Sequence, residues 1–414
     1  MEDRIATIMS FRVVNMKHSW PLQVSAVVLL AAGLGGTVMP RLSAAKGAET
    51  KVVGLSKVIA FTYSPAKDFD PKQLRSVTFI GPKSPEEWQY WRARGVVMGV
   101  GHTWFDLLRS PLEKAVENLV SQDYGGNPQP LVMIDEFGFD YGGGMDEKSA
   151  QILRQTKRRK PELALAVFEM RGPIPPVLAE AYRDVADLVM MESYVGSTRW
   201  YWWIASQVWS ARRYGILPKT IVVLGVGKGG NPGEHWAQTK EELEQQVRFL
   251  RLVGPESPGV GFYGGTQELL ASADALGARF SDIPTDGAGL PADLLALART
   301  FSNRYEKPTL VVSPALVQPD YNADGSGHLA EPRTMRPYLI NLGDQDAHDV
   351  VIRLRNPPAR GGDVFAEGIV PLIPKRSAAI GVLPVTGQWR VWVGQWKMEV
   401  EAPGCDVRAF GAAP

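Results

Sequence analysis

Cysteine is all but missing from this chain of 414 residues: Cys405 stands alone, so no intrachain disulfide staples the fold and stability must come from burial. Histidine is scarce too. Of five, only His102 and His235 fall between residues 50 and 280, which excludes a multi-histidine hydrolytic metal centre. Carboxylate-bound Mg²⁺ or Ca²⁺ at Asp135, Asp140 and Glu192 lacks any diagnostic spacing, so no metal and no cofactor is expected. Charge of one sign is absent as well. With 45 basic against 44 acidic residues, nothing points to nucleic acid or an anionic membrane surface as a partner. Long apolar runs are also lacking, since Val24–Leu34 falls short of the roughly 20 residues of a membrane span.

What is present begins with a leader. Lys17 and His18 precede the Val24–Leu34 run, and Ser43-Ala44-Ala45 fits a small-residue cleavage site. An uncleaved anchor is the competing reading, but the Gly and Ala content and short apolar core favour a signal peptide over residues 1–45. The mature protein is then expected to be secreted, periplasmic or on the cell surface, with no stable membrane insertion.

Short apolar runs recur from there at Lys57–Tyr63, Ser76–Gly81, Gly95–Gly101, Pro130–Phe137, Leu163–Met170, Asp187–Tyr194, Thr220–Gly227 and Gly259–Gly264. Helical patterns fit the gaps at Pro85–Arg94, Pro111–Gln122, Asp146–Lys160, Pro176–Val185, Trp200–Tyr214, Thr239–Leu252 and Thr266–Ala278. Strands alternating with helices imply an α/β fold with a parallel sheet, and eight such units imply a (β/α)₈ TIM barrel over residues 50–280. A linker with a helix spans 281–306. From Lys307 the pattern changes to extended runs and turns at Thr309–Val312, Arg336–Leu342, Asp349–Arg355, Val370–Ile373, Ser377–Val382, Gly387–Val393 and Trp396–Val400. These predict a C-terminal immunoglobulin-like β-sandwich over 307–403. Its simplest role is to cap and rigidify the barrel, with glycan binding the alternative.

Active sites in such barrels lie at the C-terminal ends of the strands. The residues there are Tyr63; His102 and Trp104; Asp135, Glu136 and Asp140; Glu169 and Arg171; Glu192 and Tyr194; and Tyr263. The sharpest signal is the strand Leu131–Ile134 running straight into Asp135-Glu136, because unpaired carboxylates beside a core lose their hydration. The run ending at Glu192 repeats that pattern two strands later. Side chains alternate in and out along a strand, so Glu136 and Glu192 are expected to face one cavity, with Asp135 the substitute if the parity is reversed. Two carboxylates facing a sugar allow one to protonate the leaving oxygen while the other attacks or activates water. Taken singly, each acid is better explained by a strand-end ion pair with a neighbouring Arg or Lys; it is the two together that point to chemistry.

Loops supply flat rings. Four consecutive aromatics at 200–203 cannot all face inward on one helix, so Trp200 or Tyr201 is expected to reach the cleft, where it would stack on sugar. The stretch Gly225-Val-Gly227-Lys-Gly229-Gly230 lacks the Ser or Thr that follows Lys in a Walker motif and lacks dinucleotide spacing. With Glu234, His235 and Trp236 downstream it reads as a long substrate loop, with phosphate binding a minor alternative.

The segment Val-Met-Ile-Asp-Glu-Phe-Gly-Phe-Asp on the fourth strand, with Met-Glu-Ser-Tyr on the sixth, resembles barrel glycoside hydrolases. The placement is similar to retaining α-galactosidase-type families, where the fourth strand carries the nucleophile and the sixth the acid/base. Those pairs are usually Asp and Asp, whereas Glu136 and Glu192 stand here. The Asp-x-Glu of chitinase-like enzymes is absent, and Leu224–Gly227 holds no acid to match the clan whose nucleophile lies on the seventh strand. The resemblance implies an exported glycoside hydrolase acting on a poly- or oligosaccharide. A non-catalytic carbohydrate-binding cell-surface barrel is the alternative.

Overall fold

A computed structural model describes residues 58–62, 74–80, 85–121, 131–137, 143–169, 174–194, 200–227, 236–237, 239–264, 267–320, 329–390 and 396–411. All belong to one compact unit, Leu55–Pro414. The expected leader, and Tyr63, Asp140, Arg171, Glu234 and His235, lie outside the described residues.

Among the described residues, nine strands form one parallel sheet: β1 (Val58–Thr62), β2 (Phe79–Ile80), β3 (Val97–Met98), β4 (Val100–Thr103), β5 (Leu131–Phe137), β6 (Ala164–Glu169), β7 (Leu188–Ser193), β8 (Thr220–Gly225) and β9 (Gly259–Tyr263). β1 pairs with β2 on one side and with β9 on the other. The order runs β3-β2-β1-β9-β8-β7-β6-β5-β4, so its two ends are β3 and β4, which only Gly99 separates in the chain. The sheet therefore closes on itself. Counting β3 and β4 as one stave leaves eight staves from nine strands, matching the eight apolar runs. The join is tight: a Cβ on Gly99 would lie 3.0 Å from Leu131 Cδ2 and 3.0 Å from Phe79 Cζ, so both side chains would have to give.

Helices α1 (Pro85–Arg92), α2 (Trp104–Arg109), α3 (Leu112–Ser121), α4 (Gly143–Arg159), α5 (Pro176–Val185), α6 (Tyr201–Arg213), α7 (Lys240–Val253) and α8 (Gln267–Ala278) alternate with the strands, and α9 (Ala292–Ser302) follows. The sequence pattern anticipates all of them except the short α2. A capping box starts α7, where Thr239 accepts from the Glu242 N–H and the Glu242 carboxylate accepts from the Thr239 N–H. Asp274 on α8 accepts the amides of Arg75 and Ser76 at 3.1 and 2.9 Å, tying the chain ahead of β2 to the helical shell.

Alternation along the strands divides the core in two. Val132, Ile134, Leu165, Val167, Val189, Met191, Val222 and Leu224 join helix residues in one large cluster. Leu131, Met133, Phe168, Leu188, Met190, Ile221 and Val223 are equally buried but stand outside that cluster, facing the interior of the closed sheet.

The C-terminal region has nine strands among the described residues: β10 (Thr309–Val312), β11 (Val317–Pro319), β12 (Thr334–Asn341), β13 (Ala347–Arg355), β14 (Val364–Ile373), β15 (Ser377–Ile380), β16 (Leu383–Pro384), β17 (Lys397–Glu401) and β18 (Asp406–Ala409). They make a six-stranded and a three-stranded sheet, and both supply residues to one core that includes Leu310, Leu339, Ile352 and Phe365. One expected strand fails: residues 387–390 of the run Gly387–Val393 form none, because Arg390 N–H bonds the Asn356 side chain and Gly387 N–H bonds Phe365 O instead of a ladder. Short strands β11, β16 and β18 appear in its place. β18 pairs in parallel with β10, and Phe410 beyond it stacks on Trp202 of α6 with ring centroids 5.8 Å apart.

Candidate active site

Alternation along the strands sorts the acids by the face of the sheet they continue. On β5, Val132 and Ile134 point to the helices, so Leu131, Met133 and Asp135 share the inner face. On β7, Val189 and Met191 point outward, leaving Leu188, Met190 and Glu192 inward. Asp135 and Glu192 both raise the pKa of Tyr194, which stands just past the end of β7. Asp135 thus continues the inner row of β5; the sequence favoured Glu136 with Asp135 as its substitute. The register between β5 and β6 slips between Ile134 and Phe137, and only the backbone of Glu136 is described. The same holds for His102 in β4 and Trp104 at the start of α2.

Tyr194 is the centre of the group. Its hydroxyl donates to the Glu192 carboxylate, and its pKa is pushed well above the ordinary phenol value, first by burial and then by the charges of Glu192, Tyr263 and Asp135. Its ring stacks on Tyr263 with centroids 4.8 Å apart and planes 16° from parallel. Trp236 completes the set, 5.4 Å from Tyr194 and 5.2 Å from Tyr263. Both tyrosines are partly buried, while Trp236 is buried and packs against them, tilted to Tyr194 and edge-on to Tyr263.

Glycines make that packing possible. A Cβ on Gly225 would lie 2.8 Å from Trp236 Cγ, and one on Gly264 would lie 2.4 Å from Trp236 Cζ3. Gly264 also has φ +78°, a conformation side chains rarely adopt. The backbone around the indole is tied down: Ala237 N–H bonds Gly225 O at 3.1 Å, Gly227 N–H bonds Ala237 O at 2.7 Å, and Val226 N–H bonds Tyr263 O at 2.9 Å. The glycine run after the seventh stave thus houses an aromatic side chain over its first part, while Lys228 to Gly230 lie outside the described residues.

The tip of β7 is clamped from α6. Buried Gln207 donates to Glu192 O at 2.7 Å and accepts from Ser193 Oγ at 2.5 Å, and Trp203 Nε1 donates to Glu192 O at 3.4 Å. Sequence reasoning missed Gln207. The signal was a glutamine inside the otherwise apolar face of an aromatic-rich helix.

Two expected members stand elsewhere. Glu169 is buried on the helix side of β6, where Tyr182 of α5 donates to its Oε2 at 2.5 Å. It is the last residue of a strand whose Leu165 and Val167 also point outward, so its parity carries it away from Asp135 and Glu192. Trp200 packs on Trp202, 6.3 Å away, and its Cζ3 lies 3.1 Å from where a Gly411 Cβ would be. Tyr201 is buried against Phe249 of α7. These aromatics join α6 to neighbouring elements and do not form a cleft wall.

Among the described residues, no group of three or more His, Cys, Asp or Glu is placed to hold a metal ion, and no helix is long and apolar enough to cross a membrane. The arrangement presents two inward carboxylates, one phenol bonded to one of them, and a tiered aromatic platform at one rim.

No family model matches the chain, and comparison with curated proteins finds no match either. Solved structures to which it is similar include glycoside hydrolases. A double mutant of the endo-beta-1,4-mannanase of Cellulomonas fimi is 11% identical with a TM-score of 0.35, over 85% of this chain and 94% of that one. Xylanase 10B from Thermotoga petrophila, in complex with xylobiose, is 12% identical with a TM-score of 0.33, over 51% of this chain and 83% of that one. A GH10 xylanase of Thermobacillus composti is 11% identical with a TM-score of 0.35, over 60% and 97%. Similarity at this level carries no argument about activity, which rests on the residues.

Proposed function

We propose that the chain is an exported glycoside hydrolase whose closed sheet is a TIM barrel and whose C-terminal sheets form an immunoglobulin-like sandwich. The observation that carries this reading is the inward pair Asp135 and Glu192, both acting on Tyr194 beside the Tyr194–Tyr263 platform. Tyrosine faces stack on the apolar face of a pyranose ring, which orients the glycosidic oxygen toward the acids. Glu192, which accepts the Tyr194 hydroxyl, serves as the anionic partner, attacking the anomeric carbon or activating water. Asp135 protonates the leaving oxygen. The substrate is a poly- or oligosaccharide, and the leader on residues 1–45 directs the enzyme to the periplasm, cell surface or medium.

A hydrolysis screen of the mature protein on a polysaccharide panel tests this. Asp135→Asn and Glu192→Gln are each expected to lose about 10²–10⁴-fold in kcat on any glycan the parent cleaves. Wild-type turnover in both variants sinks the assignment. Glu136→Gln is the comparison, and a larger loss there than at Asp135 would reassign the acid on β5. Glycan affinity without cleavage in the parent would favour a binding protein on the same platform.

A further inference from the structure

A cavity of about 510 Å³ lies between α6, α7 and α9 and is lined also by Arg376 of the C-terminal region. Arg212 and Arg213 end α6 and Val253 ends α7, so the cavity sits where helices turn back into strands, at the opposite end of the closed sheet from Asp135 and Glu192. Its floor is apolar: Trp209, Leu252, Leu295, Ala298 and Phe301. Its rim carries four arginines, Arg212, Arg213, Arg299 and Arg376, and one acid, Asp286.

Two of those arginines are already neutralised. Arg212 meets both Glu256 oxygens, at 3.0 and 2.7 Å, and holds the Glu256 carboxyl below its ordinary range. Arg376 pairs with Asp344 at 3.2 Å and donates to Asn303 O and Leu342 O. The other two differ. Arg213 spends its Nε on the Arg376 carbonyl, and among the described residues neither Arg213 nor Arg299 has an ion-pair partner. Asp286, the one acid among the described lining residues, accepts the Ala288 N–H at 2.9 Å. The rim is left with two uncompensated guanidinium groups against one carboxylate.

We infer that this cavity binds a small amphipathic organic anion, with an apolar body on the Trp209–Phe301 floor and a carboxylate on Arg213 and Arg299. The volume falls within the roughly 300–1,000 Å³ of ordinary ligand sites, and such sites favour junctions between domains. Guanidinium matches a carboxylate through two parallel N–H donors, which gives this charge type its selectivity. The inference is independent of the chemistry at Asp135 and Glu192, since it uses no residue from that end of the sheet.

The test is isothermal titration of the full mature chain with 4-phenylbutyrate, the neutral isostere 4-phenylbutanol, and acetate. The expected result is saturable one-to-one binding of phenylbutyrate, with the alcohol and acetate each weaker by about tenfold or more, the factor that about 1.4 kcal/mol supplies. Arg213→Gln with Arg299→Gln is expected to weaken phenylbutyrate by at least about tenfold. Both side chains are exposed and Arg213 gives up one bond to the Arg376 carbonyl, so the double variant is expected to fold. Ala298→Phe, which fills the floor and leaves the charges intact, is expected to abolish binding, while Asp135→Asn leaves it unchanged. Absence of phenylbutyrate binding overturns the inference, as do equal affinity for the alcohol or undiminished affinity in the arginine double variant.

Discussion

Gly225→Ala isolates the fit of one indole. The three heavy atoms nearest the new methyl all belong to Trp236, at 2.8 Å (Cγ), 3.0 Å (Cδ1) and 3.1 Å (Cδ2). Trp236 has little room to retreat, because Gly264 lies close to its Cζ3 and Tyr194 and Tyr263 pack against it with ring centroids 5.4 and 5.2 Å away. Overpacking a site with little slack costs about 1–3 kcal/mol. Trp236→Ala alone costs roughly 3–5 kcal/mol through the void it leaves. With the indole gone, Gly225→Ala meets nothing and recovers roughly 0.5 kcal/mol of strand propensity. The double-mutant cycle should therefore show a coupling of about 2 kcal/mol, well beyond the 0.3–0.5 kcal/mol scatter of independent sites. Urea denaturation of the four proteins, followed by far-UV circular dichroism, reads it. Additive losses would mean that Trp236 does not fill the slot between Gly225 and Gly264, and the aromatic tier would lose its support.

Further tests follow from burial and backbone strain. Burial raises the pKa of Tyr194, Tyr201 and Tyr214, so the folded state favours their neutral phenols. That stabilisation is complete below the unfolded value of about 10 and is lost as pH rises through the folded values. An absorbance titration of the native protein near pH 11 should count fewer tyrosinates than the 12 of the unfolded chain, and simultaneous titration of all of them before unfolding would contradict it. Arg376 has φ +51°, a left-handed backbone that costs an L-residue about 1–2 kcal/mol. Arg376→Gly and Arg376→Ala lose the same side-chain bonds, yet glycine escapes that strain. After its extra chain entropy is set against it, Arg376→Gly should be the more stable by about 0.5–1 kcal/mol in thermal denaturation. The reverse ranking would refute the strain.

The eight staves were legible because parallel strands buried on both faces read as continuous apolar runs, as Leu131–Ile134 and Leu188–Met191 do. The same property hid the site. A strand apolar on both faces shows no alternation, so nothing in Leu-Val-Met-Ile told whether Asp135 or Glu136 continued the inner row. Only the contacts of Val132 and Ile134 with the helices decide it. The aromatics at 200–203 misled for a related reason, since the ring that covers Trp202 is Phe410, some two hundred residues along the chain. Strands such as Leu383–Pro384 are too short to leave any period.

The join at Gly99 also sets the order in which the closed sheet comes apart. β2 touches its neighbours through two residue pairs on each side, Ala60 with Phe79 and Phe61 with Ile80, then Phe79 with Val97 and Ile80 with Met98. The next seam round, β1 with β9, and the seam of β7 with β8 are each held by five. Local opening follows the least-bonded seam, so the wall parts first beside β2, while the staves that carry Glu192 and Tyr263 stay latched. Partial unfolding beside β2 leaves the Glu192–Tyr194–Tyr263 rim assembled.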